Sequence, residues 1–212
     1  MGLLILLKKK LMPTKLIHTI LLIGTAAFIF SCSPKNISTK YYYQHEKVLD
    51  KIEESYKNLS KQYNFTVGFT SRDFKTLSVE FITDTLSYIY EFAVNEPRLI
   101  DTLLKFHLDA PKVVALIQQM QSIRCTWIKN FYYYLDEKKK SMIFMSIKPV
   151  ALKAPFSYSK FYVLTYFPQP QYFDSAGQLL DKRKLRTLRK INGDIFKRIN
   201  SKVCYTISGN FR

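Results

Sequence analysis

Apolar residues fall on every second position three times in succession: Phe65, Val67 and Phe69, then Leu77, Val79 and Phe81, then Leu86, Tyr88, Tyr90 and Phe92. Side chains alternate between the two faces of a strand, so this rhythm predicts strands with one buried face. The short connection Ser71-Arg72-Asp73-Phe74-Lys75 makes the first two runs a hairpin. An antiparallel sheet is therefore the expected frame of the chain.

Helical spacing flanks that frame. From Gln44 to Gln62, Val48, Leu49, Ile52, Tyr56, Leu59 and Tyr63 keep a three- and four-residue rhythm, with charges on the other side. Glu53 and Lys57 form an i,i+4 pair in the favoured order. Tyr41, Tyr42 and Tyr43 just ahead either cap the core or rest on a membrane interface. Asn95 and Pro97 open a second helix carrying Leu99, Ile100, Leu103 and Leu104. Asp109-Ala110-Pro111 restarts the chain into a third, with Val113, Ile117 and Met120, which completes a central αα-hairpin.

Beyond it, Trp127–Leu135 and Ser141–Ile147 read as a second hairpin around Asp136-Glu137-Lys138-Lys139-Lys140, and Phe161–Phe167 as a strand ended by Pro168 and Pro170. Phe173–Gly177 is a turn, Asp181–Lys190 a basic helical segment, and Val203–Ile207 a closing strand. The expected class is α+β: a largely antiparallel sheet of about six strands with an N-terminal amphipathic helix. At 212 residues and 47% hydrophobic composition, the chain suits one globular domain, residues 41–212.

The N-terminus carries an address. After Met12-Pro13-Thr14-Lys15 comes an apolar run from Leu16 to Phe30, whose 15 residues span about 22 Å as a helix, short of the roughly 30 Å hydrocarbon layer. That length fits a signal peptide better than a spanning helix. The start is either Met1 or Met12. The run ends in Ile29-Phe30-Ser31-Cys32, which resembles the lipobox of signal-peptidase-II lipoproteins. Phe30 departs from the strict pattern, and the relaxed box Ser31-Cys32-Ser33 looks like lipoproteins of Bacteroidota-type bacteria. The resemblance covers about the first 33 residues. It implies cleavage before Cys32 (residues 1–31 being the leader), lipid on that cysteine and a membrane anchor. Ser33 in place of an acidic residue implies the periplasmic face of the outer membrane. Residues 32–40 read as a tether of at most about 28 Å over its last eight residues.

This address reshapes the chemistry. Cys125 and Cys204 remain, and in an oxidising compartment they form a candidate disulfide, the alternative being two buried thiols. Closing a loop of that size could add roughly 4 kcal/mol. His45 and His107 lack metal-ligand spacing, and no nucleophile elbow, phosphate loop or dinucleotide fingerprint appears, so neither metal nor cofactor is expected. Asp73, Glu80 and Asp84 sit near strand ends, where carboxylates usually form turns. Asp84-Thr85-Leu86, Asp101-Thr102-Leu103 and Asp174-Ser175-Ala176 resemble the O-glycosylation site of Bacteroidota periplasmic proteins.

Formal net charge is +17, and without the four leader lysines it is +13, from 29 basic and 16 acidic side chains. Much of the excess lies in Lys182, Arg183, Lys184, Arg186, Arg189, Lys190, Lys197 and Arg198, with Lys202 beyond. This stretch is either a solvated basic face or, behind a lipoprotein leader, one that suits anionic lipid, lipopolysaccharide phosphate or an acidic envelope protein rather than nucleic acid. Tyr132, Tyr134, Tyr162 and Tyr166 offer either a sheet covered on both sides or a tyrosine-lined groove for glycan or lipid. The leading expectation is a membrane-tethered, non-enzymatic binding module. The competing one is an envelope hydrolase on glycan or lipid, its site assembled from dispersed residues.

Overall fold

A computed structural model describes residues 33–135, 137–150, 160–181, 187–191 and 193–209. The leader and Cys32 lie outside them, as do Lys182, Arg183, Lys184 and Arg186 of the basic face.

Helix α1 (Pro34–Ser60) starts ten residues before the apolar rhythm at Gln44 suggested. Ser33 caps it, its hydroxyl accepting the Asn36 N–H at 3.2 Å, and Pro34 supplies a first residue that needs no donor. The segment read as an extended tether is thus helical from Pro34 onward. Its seven residues to Lys40 rise only about 10 Å. Ser38, Tyr42, Leu49, Ile52, Tyr56 and Leu59 form the buried stripe.

Three strands follow: β1 (Phe65–Phe69), β2 (Thr76–Ile82) and β3 (Ser87–Ala93). They pair in succession, and Phe65, Val67 and Phe69 lie directly across from Phe81, Val79 and Leu77. Helices α2 (Pro97–Lys105) and α3 (Ala110–Ser122) then return the chain to the other side of β1. Proline occupies the first turn of both, and the Asp109 carboxylate caps α3 through the Lys112 N–H at 3.2 Å. The cap of α2 is Glu96 rather than Asn95.

Strand β4 (Trp127–Leu135) joins β1, and β5 (Lys138–Pro149) and β6 (Phe161–Tyr166) pair outward from it. Residues 167–202 make an excursion holding the short ribbon β7 (Lys190–Ile191) with β8 (Asp194–Ile195). The edge strand β9 (Lys197–Arg198) and β10 (Val203–Ser208) then close the sheet. Its order is β3-β2-β1-β4-β5-β6-β10-β9, antiparallel at every step. The class is α+β as expected, with eight strands in the main sheet rather than about six.

Strand pleating assigns the two faces. One carries Phe65, Phe81, Ile128, Asn130 and Tyr166, and α1 packs on it with the Tyr56 ring 5.2 Å from that of Phe65. The other carries Trp127, Tyr133, Phe144, Val163 and Cys204. These form one core with Phe167, Leu179, Ile191 and Phe196 of the excursion. Gly68 sits opposite Trp127, and a Cβ there would lie 2.7 Å from the indole Cδ1. Only glycine lets that ring lie across β1.

The excursion overturns one expectation. In the stretch read as a basic helix, the described residues pair across instead. Leu188 bridges Leu180, the Arg189 N–H donates to the Leu179 carbonyl at 2.8 Å, and Lys190 belongs to β7. This ladder satisfies the backbone while setting Leu179 and Ile191 into the core.

Candidate functional site

The second half of α1 and the strands beneath it enclose a cleft of about 290 Å³. From α1 come Glu53, Lys57, Ser60 and Lys61, which share a stripe at helical spacing. The sheet contributes two rows across its strands. Asn130, Ile143 and Tyr166 are in register on β4, β5 and β6, and Tyr132 faces Ser141 one row further out. Met142 and Pro168 complete the wall.

The hydrogen bonding is uneven. Asn130 donates from Nδ2 to the Tyr132 hydroxyl at 3.3 Å, and Glu53 lies 4.0 Å from Lys57. Yet Asn130 Oδ1 and Tyr166 Oη are buried with no hydrogen-bond partner among the described residues. Several hydroxyls scattered through the sheet share that condition, among them Thr66, Ser146 and Thr165. Asn130 and Tyr166 line the cleft, but these two oxygens are covered by protein atoms and do not open into it. Tyr166 is 7% exposed, and burial raises its hydroxyl well above the ordinary tyrosine range, so it remains protonated. Burial also raises the Glu53 carboxyl, opposed by the adjacent Lys57 ammonium. Lys139 holds the Tyr132 ring with its Nζ 3.9 Å from the centroid, and Tyr134 extends the same face of β4 outward, 72% exposed.

The cleft can both give and take hydrogen bonds. Lys57 and Lys61 donate, and the Glu53 carboxylate accepts. Among the described residues of its lining there is one carboxylate and no histidine or cysteine.

The named tyrosines are thus partly gathered. Tyr132 and Tyr166 line the cleft, Tyr134 stands beside it, and Tyr162 shares their face but is buried under β6's own packing at 6% exposure. The three tyrosines expected ahead of the first helix lie within α1, where Tyr42 joins the core and Tyr41 donates to the Ile123 carbonyl at 2.8 Å, while Tyr43 stays exposed.

Cys125 and Cys204 are separate buried thiols. Cys204 in β10 is three strand steps from β4 and level there with Lys129, whereas Cys125 precedes β4, so the two lie more than about 14 Å apart. A disulfide needs Cα atoms about 4.4–6.8 Å apart, so the candidate bridge does not form in this fold. Burial pushes the Cys125 thiol up to about 12, offset in part by a backbone hydrogen bond at Trp127, and raises Cys204 too.

The described part of the basic face is not one surface. Arg189 is half-buried, its guanidinium 4.4 Å from the Tyr133 ring centre and bonded to Gln171 at 3.3 Å. It is packing. Lys190, Lys197 and Arg198 are exposed, and Arg198 lies over Phe173. No group of three or more His, Cys, Asp or Glu side chains among the described residues could hold a metal. Asp73 closes its turn through the Lys75 N–H, and Glu80 pairs with Lys129 at 3.4 Å. In the three glycosylation-like triplets, Thr85 and Ser175 are exposed, whereas Thr102 sits in α2 beside the buried Leu103.

Sequence reasoning did not find Asn130, Ser141, Glu53 or Lys57 as site residues. One signal was present: Asn130 interrupts the aromatic strand Trp127–Leu135 on its α1 face.

Compared with known proteins, the chain matches no family model, no curated protein and no solved structure.

Proposed function

We propose that this chain is a lipid-anchored envelope protein that binds a ligand in the cleft between α1 and strands β4, β5 and β6. The observation that carries the reading is the cleft itself, about 290 Å³, where Glu53, Lys57 and Lys61 of α1 meet Tyr132 of β4. Two cations, a carboxylate and a part-exposed aromatic ring gathered at one concavity are groups that orient and hold a small polar ligand.

The lipobox supports an anchor at Cys32 on the periplasmic face of the outer membrane. No helix among the described residues is long and apolar enough to cross a membrane. The cleft lies toward the C-terminal end of α1, with Lys57 about 28 Å along the helix from Ser38. The exposed cations Lys190, Lys197 and Arg198 add attraction toward anionic lipid, lipopolysaccharide or an acidic partner. A glycoside hydrolase typically uses two carboxylates about 5–9.5 Å apart. Glu53 alone, beside Lys57, favours binding over hydrolysis.

The test has two arms on the full chain. Palmitate labelling should be lost in Cys32→Ala. Detergent-solubilised envelope extract should raise the melting temperature of the wild type and not of the Lys57→Ala, Tyr132→Ala double variant. No labelling, or equal stabilisation of both proteins, contradicts the proposal.

A further inference from the structure

We infer that the protein forms a two-fold symmetric dimer in which strand β3 pairs antiparallel with β3 of a second copy.

The open edge is defined by the bonding on its other side. In an antiparallel ladder, residues alternate between bonding the neighbouring strand and pointing away from it. Just past the two ends of the β2–β3 ladder, the Val94 N–H donates to the Lys75 carbonyl and the Thr83 N–H to the Leu86 carbonyl, both at 2.9 Å. Tyr88, Tyr90 and Phe92 continue that alternation as the bonded positions. Ser87, Ile89, Glu91 and Ala93 therefore aim their N–H and C=O groups off the sheet. Ala93 is closed, since its N–H donates to the Glu96 carboxylate and its carbonyl accepts the Glu96 N–H, each at 3.0 Å. Three residues stay open, and among the described residues no strand lies beyond them.

Those three fix one register. A two-fold axis at Ile89 sets Ser87 of each copy opposite Glu91 of the other, so every open group on both edges finds a partner. An axis at Tyr90 would put Ser87 against the closed Ala93. An axis at Tyr88 would put Glu91 against Thr85, beyond the strand. The register at Ile89 also sets the Glu91 carboxylate, which accepts from Thr70 at 2.6 Å, opposite a serine rather than against its own copy. Ile89, 70% exposed, meets its own copy.

The two edges of the sheet are built differently. The far edge, β9, is two residues long, and both are exposed cations, Lys197 and Arg198. Shortness and charge protect an edge from pairing. Strand β3 has seven residues with no lysine, proline or glycine, and its ladder carries no bulge. Leu86, Tyr88 and Ile89 are exposed along it. Helix α2 ends over this strand, the ring of its C-cap Phe106 lying 5.9 Å from that of Tyr88, and it exposes Ile100 and Leu104. These five side chains present on the order of 500 Å², so two copies bring about 1,000 Å², the scale a specific interface needs. A lipid surface could cover the side chains but would leave the open N–H and C=O groups unmet, whereas a second strand satisfies both.

The experiment uses the full chain, purified in detergent, and reads its mass by light scattering with the detergent contribution subtracted. A dimer is expected for the wild type. Ile89→Lys places a cation on the axis, and Ile89→Pro removes an N–H that points at the second copy; each is expected to weaken association at least tenfold. Circular dichroism matching the wild type establishes that the variants are folded. Should Ile89→Pro disturb β3, Ile89→Lys, which changes no backbone group, decides alone. The register is read with a short thiol crosslinker. Ile89→Cys is expected to give a dimer band above the wild-type background, and Glu91→Cys, whose copies lie about 14 Å apart, is expected to give none. A monomeric wild type overturns the proposal and leaves the edge to a strand of another protein. A dimer that survives Ile89→Lys, or crosslinking at Glu91→Cys as strong as at Ile89→Cys, overturns it as well.

Discussion

The Tyr56 hydroxyl accepts the backbone N–H of Asn130 at 2.9 Å. The same hydroxyl donates to the Phe65 carbonyl, so one fully buried side chain ties α1 to both β1 and β4. The bond falls at the start of β1, level with Phe65 and just beyond the paired stretch Thr66–Gly68 with Trp127–Lys129. Fixing the backbone of Asn130 in this way also fixes its side chain in the cleft.

Tyr56→Phe should therefore destabilise the fold by about 2–4 kcal/mol, because a buried N–H and a buried carbonyl both lose their partner. Chemical denaturation checks this. A loss under about 1 kcal/mol would mean that the hydroxyl bridges nothing of consequence.

Gly68→Ala should cost about 1–3 kcal/mol through overpacking, since the added methyl meets the Trp127 ring at 2.7 Å. Tryptophan fluorescence should shift with it, because the indole has to move. An unchanged spectrum and unchanged stability would contradict the placement of that ring.

Cys125 and Cys204 should both be free thiols. Intact mass under non-reducing conditions should show adducts of a thiol-reactive reagent on both after unfolding and almost none before. A mass two units low, with no adducts until a reductant is added, would restore the Cys125–Cys204 bridge.

The buried thiol also sets an alkaline dependence. The Cys125 pKa rises from 9.0 to about 12 on folding, so the folded state keeps its proton while the unfolded state ionises. The associated stability is complete below pH 9 and is lost as pH rises toward 12. The slope is about 1.4 kcal/mol per pH unit. Cys125→Ala should flatten the stability profile by about that slope between pH 9.5 and 11. An identical slope in both proteins would remove Cys125 from the account.

Much of the frame was legible because strand pairing here is local and regular. The runs at Phe65, Leu77 and Tyr88 alternate without interruption, and Pro97, Asp109 and Pro111 mark the helix starts. The first turns of α1 were missed because Ser33-Pro34-Lys35-Asn36 has the composition of a linker, although Ser38, Tyr42 and Leu49 continue its buried spacing. Leu185, Leu188 and Ile191 imitate a helix at three-residue intervals, but pairing of Leu180 with Leu188 decides the matter, and such pairing is not written in local periodicity. Tyr132 and Tyr166 could be named from their strands. That Glu53 and Lys57 would sit over them depends on which face of the sheet α1 covers, and no spacing in one segment states that.

The central claim is that the cleft between α1 and strands β4, β5 and β6 binds a ligand of the envelope. Its most direct test is the unfolding of wild type and of the Lys57→Ala, Tyr132→Ala variant, each with and without detergent-solubilised envelope extract. With ligand at 100 times Kd the wild type should gain about 2.7 kcal/mol and the folded variant markedly less. No gain in the wild type, or an equal gain in both proteins, would contradict the account.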